Sequence, residues 1–421
     1  MRQISFLIAI SLTSLLVSQV PTEVSLKVSA SSKIVLHIDE PQFVGAGIER
    51  AVKDFSVTLA MNIKNSSVFL MSSSKLIDKK DMKDQGIDWL LTYTIIETPS
   101  GFEVKAQITD AGSLKVIHEG RYQFGALAIH NYAHILADDI VMWLTGEKGS
   151  AFSKITFARQ IKPGVKELFQ MDSDGENIIQ LTRWGSLTLA PSVAKDGRLL
   201  YVTYKAGMPE IWGQKSVGGP QVRIFPNDSR DRSSFYSSPV WSPDGKRFAF
   251  VMGDAQGRSD IVLYDFTNLK FRKLTSSQGI NTEPTWNPGG TQIAFTSNRS
   301  GGPQIFLMED DGTNVRQLTF DGTFNASPSW SPLGDMIAFV SRFEGKFDLF
   351  IFKLAEGKAY QITTGISSNE SPSWAPDGRS LVFIGSRSSG GTLYRSDISG
   401  ASLFQVSNLG QCQSPVWSSK Y

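Results

Sequence analysis

One short motif recurs through the C-terminal two-thirds of the chain and constrains the fold more than any other feature. Its core is Pro-x-Trp, and the fullest copy reads Ser-Pro-Ser-Trp-Ala-Pro-Asp-Gly at residues 371–378. The copies end at Trp241, Trp286, Trp330, Trp374 and Trp417, and a degenerate copy is Pro191-Ser192-Val193. Successive tryptophans lie 45, 44, 44 and 43 residues apart. Such a period, filled with short strands, is typical of the blades of a β-propeller.

The order of elements within the repeat predicts how the ring closes. Each Pro-x-Trp is followed by a turn, an apolar strand, a third strand and a Leu-Thr or Ile-Thr ending. Residues 155–182 contain the later strands without a Pro-x-Trp strand before them, whereas Pro415-Val416-Trp417 has almost nothing after it. These fragments complete one another, so residues 150–421 are predicted to form a six-bladed propeller closed by the C-terminal strand. Closure of this kind removes the open edge of a sheet.

Residues 34–149 predict a small α/β domain in front of the propeller. Apolar positions at helical spacing predict helices over 45–64 and 126–144, and Gly146 stands where a C-cap glycine would. Strands are predicted over 33–38, 68–71, 87–96, 102–109 and 115–124. The fold class is therefore multidomain: a small N-terminal α/β domain with helices on a mixed sheet, followed by a C-terminal six-bladed β-propeller.

The first residues predict export. Arg2 precedes an apolar run over 4–17, which is short for a membrane span and typical of a signal peptide. We expect a signal peptide over 1–20, with cleavage as late as residue 30 as an alternative, and an exposed tail over 21–33. An uncleaved membrane anchor is the less favoured reading of the same run.

Composition removes several classes of function. Lys and Arg number 42 against 40 Asp and Glu, so the chain lacks the basic excess of a nucleic-acid-binding protein. There is one cysteine, Cys412, and therefore neither an intrachain disulfide nor a cysteine-rich zinc site is expected. The chain has no Gly-x-Ser-x-Gly motif, and all four histidines precede the predicted propeller. We therefore expect no catalytic residues and no cofactor.

Two patterns that suggest metal ligands have simpler interpretations. His130 and His134 are four residues apart on a predicted helix, but the glutamate of a His-Glu-x-x-His motif is absent. They are predicted to be a pair on the helix surface. Asp172 begins a segment like a calcium loop, yet Arg183 stands where the closing glutamate would be, so a hairpin turn is predicted. No metal site is expected.

The candidate binding surface is one mouth of the central channel. The residues that precede each Pro-x-Trp are polar and varied, and variation there is compatible with a fixed core. The candidate partner-binding residues are Phe235, Ser238, Asn281, Thr282, Glu283, Asn325, Ser327, Asn369 and Glu370. A purely solvating rim is the alternative. The recurring Arg299, Arg342 and Arg387 are predicted to make hydrogen bonds between blades.

The whole pattern resembles the TolB family. The resemblance rests on the domain order, on Ala133-His134-x-x-Ala137-Asp138, on Leu-Thr-Gly-Glu-Lys-Gly at 144–149, and on Asn-Thr-Glu-Pro-Thr-Trp at 281–286. It covers essentially all of the chain after the predicted signal peptide. The blade motif alone is shared with many other propellers.

The resemblance implies a periplasmic component of the Tol-Pal system, which supports outer-membrane integrity and cell division. It implies a monomer that binds the lipoprotein Pal at the channel mouth and TolA through the N-terminal tail, and that meets membranes only through partners. Colicins use the same mouth in some family members, which accounts for a link to protein import. Thr282 and Glu283 would face Pal, with Phe235 and Ser238 one blade earlier; the family can have histidine at the position of Phe235.

Two other functions stay open. A secreted propeller hydrolase or lyase acting on peptides or glycans could use Glu283 and Glu370 as acid and base. A propeller lectin could use Phe235 and Tyr236 as an aromatic platform.

Overall fold

A computed structural model describes most of the chain after residue 32. The described residues are 33–73, 78–216, 218–226, 234–276, 279–343, 345–364, 368–386 and 390–419. The predicted signal peptide, nearly all of the predicted tail and Arg387 lie outside the described residues. Within the described ranges, no helix is both long and apolar enough to cross a membrane.

The N-terminal part is an α/β unit built on one mixed sheet. Its elements are β1 (Ile34–Ile38), β2 (Gln42–Val44), α1 (Glu49–Asn65), β3 (Phe69–Met71), a 3-10 turn (Lys79–Asp81), β4 (Trp89–Thr98), β5 (Gly101–Asp110), β6 (Val116–Phe124), a 3-10 turn (Ala126–Ala128) and α2 (Ile129–Thr145). The strand order is β3-β1-β4-β5-β6, with β2 paired to β4. Strands β1 and β3 run parallel, as do β1 and β4, whereas β4, β5 and β6 are antiparallel neighbours.

Both helices are amphipathic and bury one face in the N-terminal core. Phe55 and Leu59 of α1 and Leu136 and Ile140 of α2 are almost completely buried together with the apolar face of the sheet. Helix α2 ends at Thr145 and is capped by Gly146, whose φ of 74° is the left-handed conformation that glycine adopts without strain. Strand β2 and the 3-10 turn at 79–81 were not predicted, because their sequences, Gln-Phe-Val and Lys-Lys-Asp, show no apolar period.

The C-terminal part is a six-bladed β-propeller. Its strands are β7 (Ser153–Lys162), β8 (Val165–Asp172), β9 (Ile179–Gln180), β10 (Thr188–Val193), β11 (Leu199–Thr203), β12 (Glu210–Gln214), β13 (Gln221–Phe225), β14 (Ser234–Trp241), β15 (Arg247–Asp254), β16 (Ser259–Asp265), β17 (Lys270–Lys273), β18 (Asn281–Trp286), β19 (Gln292–Ser297), β20 (Gln304–Glu309), β21 (Arg316–Gln317), β22 (Asn325–Trp330), β23 (Met336–Phe343), β24 (Lys346–Lys353), β25 (Lys358–Gln361), β26 (Asn369–Trp374), β27 (Ser380–Ser386), β28 (Gly391–Asp397), β29 (Leu403–Gln405) and β30 (Cys412–Ser419).

Each blade is a four-stranded antiparallel sheet. Blade 1 has the order β30-β7-β8-β9, so the last strand of the chain completes the first sheet, as predicted. Blades 2 to 6 are β10–β13, β14–β17, β18–β21, β22–β25 and β26–β29. The innermost strands β10, β14, β18, β22, β26 and β30 contact one another in sequence around the channel.

The Pro-x-Trp motif packs the blades against each other. Trp286, Trp330, Trp374 and Trp417 are each at most 8% exposed. The backbone N–H of Trp417 donates to Ser373 Oγ of the neighbouring blade at 3.0 Å, and the indole N–H of Trp374 donates to the Ser329 carbonyl at 2.9 Å. The residue between Pro and Trp is thus a hydrogen-bond partner of the next blade, which the sequence alone did not indicate.

The prediction for the recurring arginines is wrong for Arg299. Its guanidinium donates to Ser297 Oγ at 3.0 Å and to Asn281 Oδ1 at 2.8 Å, both within blade 4. It also lies over the rings of Phe295 and Phe306 of the same blade. The physical reason is its place directly after the second strand, where its side chain folds back over its own sheet.

Candidate functional site

Every innermost strand carries a β-bulge near its entry end, and this bulge shapes one channel mouth. The residue just before the motif proline has a positive φ in all six strands: Ala190, Ser238, Glu283, Ser327, Ser371 and Ser414, with φ between 48° and 54°. Non-glycine residues adopt this conformation rarely, and bulges redirect side chains. The candidate partner-binding segments are therefore not loops: they are the opening residues of β14, β18, β22 and β26.

Glu283 is the charged member of this set of six, and it joins two blades. Its carboxylate accepts hydrogen bonds from the backbone N–H of Ser327 at 2.7 Å and from the Ser327 hydroxyl at 2.8 Å. Thr296 Oγ1 of its own blade donates to it at 2.9 Å. The carboxylate is thus held by three donors at the boundary between blades 4 and 5.

The three candidate asparagines are buried where adjacent blades meet. Asn281, Asn325 and Asn369 are at most 2% exposed. Asn325 Nδ2 donates to Gln304 Oε1 at 2.7 Å, and Asn369 Nδ2 donates to Asp348 Oδ1 at 3.0 Å. Their side chains fix the start of each inner strand, so contact with a partner would require other residues of the mouth.

The candidate residues that reach the surface are fewer. Glu370 is exposed, and Phe235, Ser238, Thr282, Glu283 and Ser327 are partly buried. Phe235 is paired with Gly253 on β15, and its ring lies over that glycine: a Cβ at residue 253 would be 1.8 Å from the ring. The glycine therefore makes room for the aromatic side chain at the mouth.

The α/β unit packs on the opposite end of the propeller. Strand β26 runs from the mouth at Asn369 to Trp374, a span of about 20 Å for six residues, and the turn that contains Asp377 follows it. At that far end Ser150 Oγ donates to Asp377 Oδ2 at 2.7 Å, and Arg379 Nη1 donates to Glu147 Oε2 at 2.9 Å. Among the described residues, the contacts of the α/β unit with the propeller thus lie at the end remote from the bulges.

Comparison with known proteins identifies the family. The family model described as the TolB beta propeller domain matches residues 141–421, which is two-thirds of the chain. The chain belongs to the TolB β-propeller family. A protein TolB homolog of Chlorobium chlorochromatii is 32% identical over 240 residues, covering 57% of this chain and 52% of that protein. A Tol-Pal system protein TolB of Anaeromyxobacter is 36% identical over 204 residues, covering 48% and 45%. The chain thus spans about half the length of the curated relatives it matches.

A solved TolB structure extends the likeness to both domains. The crystal structure of TolB from Acinetobacter baumannii superposes with a TM-score of 0.80 at 26% identity, covering 92% of this chain and 97% of that one. The structure of a TolB-like protein from Agrobacterium tumefaciens covers 63% of this chain with a TM-score of 0.50 at 19% identity, which shows the fold alone. The resemblance to TolB read from the sequence is therefore confirmed.

A partly buried carboxylate, Asp138, and a buried guanidinium, Arg395, make contacts between the two units of this TolB family member. Asp138 of α2 accepts hydrogen bonds from the backbone N–H groups of Ala151 at 2.7 Å and Phe152 at 2.9 Å. Burial raises the pKa of Asp138 to about 6. Arg395 is 4% exposed, donates to Ser380 Oγ and to the carbonyl of Asn65 at the end of α1, and burial lowers its pKa to about 10.

The prediction that His130 and His134 form a surface pair is wrong. His134 is 1% exposed, and the His130 side chain is 25% exposed. Both rings face the hairpin turn between β8 and β9, where Asp174 Oδ2 lies 3.1 Å from His130 Nε2 and 3.4 Å from His134 Nε2. Because the turn belongs to the propeller, helical spacing alone could not show what the histidines contact.

The pKa values of the two histidines are shifted by burial and by the neighbouring carboxylates. Burial lowers the pKa of His134 to about 4, whereas the adjacent Asp174 carboxylate raises the pKa of His130. Burial alone would raise the pKa of Asp174, but the two histidines lower it overall. The cluster therefore pairs imidazoles from one structural unit with carboxylates from the other.

Proposed function

We propose that the chain is the TolB component of a Tol-Pal system: a periplasmic, non-catalytic scaffold that binds Pal at the bulged channel mouth and TolA through the tail before Lys33. The observation that carries the proposal is the superposition on TolB from Acinetobacter baumannii across both units, because a propeller alone is shared by proteins of many functions. Support for envelope integrity and cell division follows as part of the same proposal.

The mouth is suited to protein binding. The six bulges present side chains at equivalent positions around one opening, and the contacts of the α/β unit lie at the other end. Accessible residues combine an aromatic ring at Phe235 with polar groups at Thr282 and Ser327 and a carboxylate at Glu370. We propose these as the Pal contacts, together with Ser238 and Glu283, and assign Asn281, Asn325 and Asn369 the role of positioning them.

Binding to the Pal lipoprotein of the same organism tests the proposal directly. Calorimetry with the chain from residue 21 onward and the soluble domain of Pal should give one saturable site. Thr282→Arg and Glu370→Arg should weaken binding because each places a long cation on the rim. The matched control is Lys270→Glu on β17, an exposed charge on an outermost strand, which should leave affinity unchanged. No binding by the wild-type chain would refute the proposed partner.

The role of the tail needs a separate experiment. Deleting residues 21–32 should reduce binding to the C-terminal domain of TolA and change the affinity for Pal. Equal affinities of the shortened and complete chains for both partners would contradict the proposed role. A charge reversal at Glu283 would be a poor first probe of Pal binding, because Glu283 also joins two blades.

The observations give less support to an enzyme. Glu283 lies on β18 and Glu370 on β26, with β22 between them, and three hydrogen bonds already engage the Glu283 carboxylate. The two carboxylates are therefore not placed on one strand or on adjacent strands. Release of reducing ends from periplasmic glycans by the purified chain would favour the enzyme instead.

A further inference from the structure

The cluster where α2 meets blade 1 has the composition and spacing of a metal site. One ligand atom from each of His130, His134, Asp172 and Asp174 lies within 4.8 Å of all the others. The Nε2 atoms of the two histidines converge on Asp174 Oδ2, at 3.1 and 3.4 Å, and lie 3.7 and 4.0 Å from Asp172 Oδ2. Ligands about 2.0–2.2 Å from a tetrahedral Zn²⁺ are themselves about 3.3–3.6 Å apart.

Three of these atoms lack a satisfactory hydrogen bond although they are buried. His130 Nε2, His134 Nε2 and Asp174 Oδ2 have no hydrogen-bond partner of acceptable geometry. The Asp174 side chain is fully buried. A buried polar atom without a partner is costly, and a cation placed between the three would satisfy all of them at once.

The opposite ring nitrogens are held by α1. His134 Nδ1 lies 2.8 Å from the amide of Asn62, and His130 Nδ1 lies 3.3 Å from Thr58 Oγ1. The nitrogen and the oxygen of the Asn62 amide exchange places on a 180° rotation, so Asn62 Oδ1 can accept a hydrogen bond from His134 Nδ1–H, which leaves Nε2 unprotonated as a ligand. Support of this kind on the far side of a histidine is typical of metal sites.

The equivalent turn of another blade lacks these features. In blade 4 the turn Glu309-Asp310-Asp311-Gly312 corresponds to Asp172-Ser173-Asp174-Gly175, with matching backbone hydrogen bonds. There Asp311 is exposed and accepts from Thr313 within its own turn. Asp174 of blade 1 differs because its side chain is buried against the imidazoles of His130 and His134. The cluster is therefore not a general property of this turn.

We propose that His130, His134 and Asp174 bind a divalent transition-metal ion, of which Zn²⁺ is the best fit, and that the ion links helix α2 to blade 1. Two imidazoles and a carboxylate are the ligand types that zinc takes, and Asp172 lies next to the fourth position. Asp172 is also engaged by Lys154 and, at 2.7 Å, by Asn177, which hold it in place and weaken it as a ligand. A bound ion would restrain movement between the two units.

Metal titration of the untagged chain tests the proposal. After dialysis against a chelator, calorimetry with ZnCl₂ should show one site per chain, and Co²⁺ should give the visible absorption of a four-coordinate ion. Zn²⁺ should raise the melting temperature, and the increase should grow with the logarithm of the free Zn²⁺ concentration above Kd. His130→Gln should lower the affinity by more than about 100-fold, since it removes a ligand outright.

Two further variants keep the outcome clear. His118→Gln is the matched control: this histidine stacks on Trp143, remote from the cluster, and its loss should change neither affinity nor stoichiometry. Asp174→Asn should abolish binding as well, and circular dichroism verifies that each variant is folded. Absence of a saturable site in the wild type, or equal affinity in His118→Gln and His130→Gln, would overturn the proposal and leave an imidazole–carboxylate contact. Neither result bears on Pal binding.

Discussion

Glu283 and Ser327 bind blade 4 to blade 5 through two hydrogen bonds, at 2.7 and 2.8 Å, on one carboxylate. Both residues stand directly before the motif proline, and both have a φ of 54°. The same backbone position therefore has a strained conformation and, at Glu283 and Ser327, joins adjacent blades. A substitution at this position is therefore expected to affect the packing of the propeller blades as well as the binding of any partner.

Glu283→Gln separates these roles. The amide retains the shape of the side chain but removes the negative charge and one acceptor oxygen, so the hydrogen bonds from Ser327 and Thr296 lose their charge assistance. We expect a loss of about 1–2 kcal/mol in the free energy of unfolding by urea. Glu370→Gln, at an exposed position of the same mouth, should change it by less than about 0.5 kcal/mol. Equal stability of the two variants would contradict a structural role for Glu283.

Gly253 is expected to tolerate no side chain while Phe235 is present. A Cβ at this position would lie 1.8 Å from the Phe235 ring, so Gly253→Ala must displace the aromatic side chain. We expect a destabilisation of about 1–3 kcal/mol by urea unfolding. In a Phe235→Ala background the same change should cost much less, and a double-mutant cycle measures this coupling. Additive effects would show that the ring does not depend on the glycine.

Much of the fold could be predicted from the sequence because the repeat is strict. The spacing of the tryptophans fixed the number of blades, and the incomplete fragments at 155–182 and 415–417 indicated that β30 pairs with β7. Helix α2 was predicted because its apolar period and Gly146 agree. These signals are local or periodic, and patterns of this kind can be read from the sequence without information about tertiary contacts.

The site was harder to predict, because its properties arise from contacts between distant segments. The sequence showed polar residues before each proline, but not that Asn281 is buried or that Glu283 reaches the next blade. His130 and His134 were separated from Asp174 by about 40 residues and by a domain boundary, and nothing local linked them. A signal did exist, in two histidines on one helix face and two acids in one turn, but each pattern also had a simpler interpretation that no local feature could exclude.

Closure of the ring should depend on β30 as a strand and only modestly on the Trp417 indole nitrogen. Trp417 Nε1 donates to Ser153 Oγ at 2.7 Å. Trp417→Phe removes this bond but keeps the aromatic packing, and should cost about 1–2 kcal/mol with a single cooperative thermal transition. Deleting residues 412–421 exposes the edge of β7 and should produce aggregates on size-exclusion chromatography. A monomeric, cooperatively folding truncated chain would contradict this account of closure.

The burial of Asp138 gives the junction a pH dependence of known sign. Its pKa of about 6 in the folded chain exceeds the unfolded value of about 3.9, so between pH 4 and pH 6 the folded state binds more protons. The contribution of this group to stability is therefore fully present below about pH 4 and is lost as the pH rises through 6, by up to about 3 kcal/mol.

Asp138→Asn carries no titrating group, so its stability relative to the wild type should increase between pH 4.5 and pH 7. Urea unfolding at both pH values measures the change, and carbon NMR of the Asp138 carboxyl should show titration near pH 6. A carboxyl that titrates below pH 4.5, or a constant difference between the two proteins, would contradict the expected effect.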